Sequence, residues 1–122
     1  YERGACFRLG DGHAGFGDGE LIGQGTETSL DVEFTVNLRK GRSIAWPRVE
    51  RPDSIVTLGA TPGALERGFR EAISEMAAWL QSDYGLTQRE AHTLIHMTAE
   101  LRVASWFGTS ACIVPKKYLP NK

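Results

Sequence analysis

The sequence predicts an α+β fold, and three observations carry that reading: strict apolar/polar alternation from Leu30 to Leu38, a helix-spaced apolar stripe from Leu65 to Leu80, and a short apolar run from Ala111 to Val114. Strands lie toward the amino-terminal side, a two-helix hairpin follows, and a final strand ends the order. The chain of 122 residues, 41% hydrophobic and 24% charged, fits one globular domain spanning residues 1–122.

The first segment differs in kind from the rest. Half of the 14 glycines fall between Gly10 and Gly25, which marks residues 9–25 as a loop needing unusual backbone freedom. Ala5, Phe7 and Leu9 alternate with Cys6 and Arg8 ahead of it, so the loop is expected to hang from a short strand. Strands are then expected within residues 30–59. Leu30, Val32, Phe34, Val36 and Leu38 form one face of the first, with Asp31, Glu33, Thr35, Asn37 and Arg39 on the other. Arg39-Lys40-Gly41-Arg42 turns the chain, and Ile44 to Val49 and Ser54 to Leu58 follow as strands, with Pro47 and Pro52 implying edges or bulges.

After Thr61-Pro62-Gly63 the period changes. Leu65, Phe69, Ala72, Ile73, Met76 and Leu80 line one face of a helix expected over 63–84 and stopped by Gly85. Thr87 and Glu90 have capping-box spacing and open a second helix, expected over 87–107 and ended by Gly108. Its apolar residues include Ala91, Leu94, Ile95, Leu101 and Val103. The last strand is expected over 111–114.

Composition narrows the function classes. A formal net charge of −1, from 14 Lys+Arg against 15 Asp+Glu, gives no electrostatic basis for nucleic acid or an anionic membrane as partner. A small neutral ligand fits better. No apolar run is long enough for a transmembrane helix or a signal-peptide core. Cys6 and Cys112 lack the spacing of a disulfide scaffold or zinc knuckle, and are expected to be free, buried thiols in a reducing, cytoplasmic setting.

The chemistry is concentrated in Leu9-Gly10-Asp11-Gly12-His13-Ala14-Gly15-Phe16-Gly17-Asp18-Gly19-Glu20. Asp11, Asp18, Glu20 and His13, separated almost entirely by glycine, offer oxygen and nitrogen donors suited to a hard or borderline divalent cation such as zinc, manganese or calcium. The bland alternative is a solvated loop in which Asp-Gly pairs make turns. Two such pairs with a histidine between them favour a site. A dinucleotide loop is rejected because no helix follows Gly15 directly and Asp11 and Asp18 would repel a pyrophosphate. An EF-hand is rejected because Gly15 stands where an oxygen ligand belongs.

This segment resembles the glycine-rich signature of the acetamidase/formamidase family. Trp46-Pro47-Arg48-Val49-Glu50-Arg51-Pro52-Asp53 with Thr57-Leu58-Gly59, and Tyr84-Gly85-Leu86 with Leu101-Arg102-Val103, resemble further family segments in order. The resemblance implies the carboxy-terminal portion of a larger, β-rich enzyme that hydrolyses a short aliphatic amide, formamide or acetamide, to a carboxylate and ammonia. It also implies a companion chain carrying the amino-terminal half with further metal ligands, a homo-oligomer, and inactivity of this chain alone. The alternative is a non-catalytic metal-binding or regulatory subunit of the same fold.

By role, His13 and Asp18 are the expected ligands of the metal, zinc first with calcium or manganese as alternatives. Asp11 is either a third ligand or the group that orients the His13 ring, and Glu20 is the expected proton carrier or another ligand. His92 and His96, spaced i, i+4 on the second helix, are read as structural, since two ligands do not make a site. Trp79 and Trp106 are read as structural aromatics. Arg102, on an otherwise apolar stretch, is expected to pair with an acid if it is buried, with Asp11 and Glu20 as candidates.

Overall fold

A computed structural model describes residue 4 and residues 6–120. It has an antiparallel sheet covered on one face by helices, in agreement with the α+β expectation. The strands are β1 (Arg48–Glu50), β2 (Ser54–Ala60), β3 (Glu100–Ser105) and β4 (Thr109–Pro115), ordered β1-β2-β4-β3 across the sheet. Helices α1 (Leu65–Tyr84) and α2 (Gln88–Thr98) lie between β2 and β3, and a 3-10 turn over Lys116–Tyr118 follows β4. None of the helices among the described residues is long and apolar enough to cross a membrane.

The core forms where α1 crosses the two central strands. Ile55, Cys112 and Val114 from the sheet meet Ala72, Met76 and Leu80 from α1 and Ala91 and Ile95 from α2, all buried. The helix approaches closely because glycines face each other. A Cβ on Gly59 of β2 would be driven into the Gly68 carbonyl oxygen and would lie 2.8 Å from the Ala72 backbone nitrogen. Buried hydroxyls bridge the same contact, with Thr57 Oγ1 donating to the Ala72 carbonyl at 2.6 Å and Ser110 Oγ to that of Leu65 at 3.2 Å.

The helix ends follow their sequence signals. Gly85 closes α1 in the left-handed region at φ 67°. At α2 both halves of the Thr87/Glu90 capping box are made, and the Thr87 hydroxyl holds the Glu90 carboxyl below its usual range. On the face of α1 near β1, Arg48 donates to the buried carboxylate of Glu75 at 2.6 Å and lies over the Trp79 ring at 5.3 Å. Removing Arg48 alone would strand that carboxylate in the interior.

Four expected elements change. Residues 30–38 form no strand, and none of the described residues supplies a ladder for them. A single strand cannot satisfy its own N–H and C=O groups. The strand expected over Ile44 to Val49 shortens to Arg48–Glu50: Pro47 has no N–H to give to a ladder, and its carbonyl accepts from Leu58 at 3.1 Å. The second helix stops at Thr98 rather than at 107, and Leu101 and Val103 belong to β3, where they pair with Cys112 and Ser110 of β4. Gly108, at φ 124°, turns the β3-β4 hairpin and ends no helix. The expected strand at 111–114 lies within β4. Of the short strand expected before the loop, Ala5 lies outside the described residues and Phe7 and Leu9 are in no strand.

Both cysteines are free, but only Cys112 is buried, and burial pushes its thiol up to about 12; Cys6 is exposed. A cysteine in an unpaired segment has nothing to bury it.

Gly59→Ala is expected to destabilise the fold by about 3 kcal/mol, because the clash is with backbone that cannot move aside cheaply. Urea denaturation checks this, and a change under about 0.5 kcal/mol would remove the close contact from the account.

Candidate functional site

The glycine-rich segment crosses back on itself. Ala14 N–H donates to the Thr26 carbonyl at 2.8 Å, Thr28 N–H to that of Gly12 at 2.9 Å, and His13 stands directly opposite Glu27 in an antiparallel bridge. Directly opposed residues of a bridge share a face, which sets Glu27 beside His13. Asp11, at φ 61° and in no strand, brings its carboxylate to the same ring nitrogen.

There His13 Nε2 lies 3.3 Å from Asp11 Oδ1 and 3.2 Å from Glu27 Oε1. One ligand atom from each residue falls within 4.8 Å of the others. The imidazole side chain is 8% exposed while both carboxylates reach solvent. Two acceptors converge on one ring nitrogen that carries at most one hydrogen, an arrangement a cation satisfies better than a proton. One imidazole nitrogen with two carboxylate oxygens suits zinc, and the oxygens also suit manganese or calcium.

The ring is fixed by its surroundings. Phe16 stacks on it at 5.4 Å between centroids, and a Cβ on Gly25 would collide with its Nδ1 and neighbouring carbons. Gly25 is required there for space. Asp11 approaches the same nitrogen as Glu27, so its place is that of a neighbouring donor. An oxygen that oriented the ring from the opposite nitrogen would lie on the Nδ1 side.

Asp18 is not brought to His13. Both of its oxygens are taken by Arg102 on β3, in a two-pronged pair of 2.6 and 2.8 Å. Arg102 is exposed rather than buried, and the acid it meets is neither Asp11 nor Glu20. The Trp106 N–H donates to the Gly19 carbonyl, and the Val103 side chain lies against Gly19. The loop is thus tied to the β3-β4 hairpin at two adjacent residues.

Glu20 lies outside the carboxylate-histidine group. It lines a shallow cavity of about 240 Å³ whose walls include Asp18, Gln24, Phe16 and Gly25. Two of those walls are the residues that hold the His13 ring. Among the described residues, Asp11 (φ 61°) and Glu20 (φ 46°) are the non-glycine residues in the left-handed region. Such backbone is disfavoured, more so for Glu than for Asp, and it concentrates at functional sites.

Sequence reasoning missed Glu27. The signal available was the pair of segments either side of Gly15-Gly25, which bring residue 27 back beside residue 13. Among the described residues the group of possible ligands is Asp11, His13 and Glu27, and His92 and His96 lie elsewhere, on α2.

The Arg102 guanidinium beside Asp18 holds its carboxyl below the usual carboxylate range. A depressed folded-state value means the tether is complete above the ordinary range and is lost as pH falls through the folded value. The chemical shift of the Trp106 amide is expected to report that loss on acidification, and Arg102→Leu is expected to show the detached shift at every pH. An Arg102→Leu variant with the wild-type shift would mean that Asp18 does not anchor the loop.

No protein-family model matches the chain, and none of the curated proteins does either. Solved structures do match. An acetamidase from Yersinia enterocolitica is 25% identical with a TM-score of 0.75, over 89% of this chain and 34% of its own. An acetamidase from Bacillus halodurans is 26% identical with a TM-score of 0.76, over 87% of this chain and 37% of its own. A protein from Thermoanaerobacter tengcongensis described as a predicted acetamidase/formamidase shares the fold at 22% identity and a TM-score of 0.68, over 86% of this chain and 36% of its own. The chain spans about a third of the length of these structures, and over that third its fold is the one found in acetamidase/formamidase structures, as the sequence resemblance implies.

Proposed function

We propose that the chain is part of a cytoplasmic, metal-dependent amidase that hydrolyses a short aliphatic amide, formamide or acetamide, to a carboxylate and ammonia. The observation that carries this reading is the convergence of Asp11 and Glu27 on His13 Nε2. Support comes from the fold it shares with proteins called acetamidases and from the small cavity that shares Phe16 and Gly25 with the surroundings of the ring.

Asp11, His13 and Glu27 would hold a divalent cation, zinc first and calcium or manganese as alternatives. Such a cation supplies Lewis acidity, polarising a carbonyl oxygen and acidifying water. Glu20, in the cavity wall, takes a proton from the attacking water and returns it to the departing nitrogen. Asp18 acts at a distance, holding the loop to β3 through Arg102. A cavity of about 240 Å³ is enough for a one- or two-carbon amide.

The remaining walls and ligands come from the part of the acetamidase-type fold that these 122 residues do not span, the whole assembling as a homo-oligomer. The chain alone is then inactive. The second reading is a non-catalytic metal-binding or regulatory subunit of the same fold, in which the Asp11, His13 and Glu27 group holds a cation without turnover.

Elemental analysis and formamide turnover of the particle recovered from producing cells test this. His13→Ala is expected to lose metal and turnover while circular dichroism still shows both helices. Glu20→Gln is expected to keep the metal and lose roughly 10²-fold in turnover. Full activity in His13→Ala would remove the ring from the site, and loss of metal in Glu20→Gln would make Glu20 a ligand. Metal without turnover in the wild-type particle would establish the second reading.

A further inference from the structure

The cavity lined by Glu20 is divided by chemistry. Phe16, Leu21 and Ile22 make one part of its wall apolar, and Asp18, Glu20, Gln24 and Thr26 supply the polar side chains. Asp18 has both oxygens on Arg102, and an ionised Glu20 offers acceptors alone. Gln24 is then the wall side chain that carries N–H donors together with a carbonyl acceptor. Among the described residues none takes up its carboxamide.

The backbone is held on both sides of Gln24. The His13 ring occupies the space that a Cβ on Gly25 would need, and a Cβ on Gly23 would lie 3.2 Å from the Phe107 ring. The Gly23 N–H donates to the Glu20 carbonyl at 3.0 Å, so Gln24 follows directly on a turn that begins at Glu20. Its backbone is thereby placed relative to both His13 and Glu20.

We infer that Gln24 reads the primary carboxamide of the substrate. This rests on the reading of the site as an amidase. A primary amide presents a carbonyl acceptor and, on the same side, an N–H donor, and the Gln24 carboxamide is the complement of that pair. The two close a planar ring in which Gln24 Nε2 donates to the substrate carbonyl oxygen and the substrate N–H donates to Gln24 Oε1. The acyl end is left for the apolar wall of Phe16, Leu21 and Ile22.

The same pair sorts substrate from product and from N-substituted amides. A carboxylate has no N–H to give, so after hydrolysis one bond is lost and two oxygens face each other. In a trans N-methyl amide the methyl stands on the carbonyl side of the nitrogen, where the paired hydrogen would be.

Steady-state kinetics on the particle from producing cells test the inference, with acetamide as substrate and N-methylacetamide and acetate as inhibitors. Gln24→Leu is expected to raise KM for acetamide roughly fivefold or more, as loss of two neutral hydrogen bonds does, with a smaller change in kcat. The inhibition constants of N-methylacetamide and acetate are expected to move less, so that discrimination among the three collapses. Gln24→Glu keeps the shape and one acceptor but loses the donors, and is expected to weaken acetamide and to weaken acetate further through like-charge repulsion. An unchanged KM for acetamide in Gln24→Leu would overturn the inference, as would an equal loss for all three molecules, which is the mark of a structural defect.

Saturation-transfer NMR of acetamide on the same particle separates this from the proposed function. Acetamide that binds without turnover, and binds more weakly to Gln24→Leu, defeats the amidase and leaves Gln24 standing as the amide-reading residue. Turnover with an unchanged KM in Gln24→Leu does the reverse, and no acetamide binding at all overturns both.

Discussion

The contact between Gly59 of β2 and Gly68 of α1 is the constraint on which the rest depends, since any side chain at Gly59 would meet backbone. It lets α1 lie close on β2 and β4, and the buried residues on both sides fill the space that results. With β4 held, β3 pairs along its outer edge. From β3, Arg102 reaches the glycine-rich loop at Asp18, and the start of the β3-β4 turn reaches it again at Gly19. The placement of the loop is thus inherited from the sheet. Its internal shape is its own, set by the crossing of residues 12–14 with 26–28.

The part of the fold with its own partners inside the chain was legible in the sequence. The α1 stripe, the Gly85 stop and the Thr87/Glu90 capping box all act locally, and each is where periodicity and capping chemistry put it. The end of α2 was misread because Leu101 and Val103 satisfy two periods. They continue the helical stripe from Leu94, yet with Ala99 they also alternate with Glu100 and Arg102. Pairing with β4, a long-range interaction, decides for the strand. Residues 30–38 fail for the opposite reason. Their alternation is the clearest in the chain, and no described residue offers them a ladder.

In the site, the residue types were legible and the grouping was not. Asp11 and His13 lie two apart in the sequence, and Asp11 reaches the ring from a left-handed backbone rather than from a strand. Glu27 joins them only because the chain returns, which spacing along the sequence does not show. Asp18 has the composition of a ligand and the environment of an anchor, since a guanidinium fork occupies both its oxygens. Its role became visible once β3 placed Arg102 opposite it. The left-handed backbone at Asp11 and Glu20 is a further sign that no composition or period reveals.

On the proposed reading Asp11, His13 and Glu27, rather than His13 with Asp18, hold a divalent cation. Calorimetric titration of the metal-stripped particle with zinc, comparing Glu27→Gln with Asp18→Asn, addresses it most directly. The account predicts that Glu27→Gln weakens binding by roughly tenfold or more, as loss of a ligand does, and that Asp18→Asn leaves it nearly unchanged. Weakened binding in Asp18→Asn with wild-type affinity in Glu27→Gln would contradict it and return Asp18 to the metal.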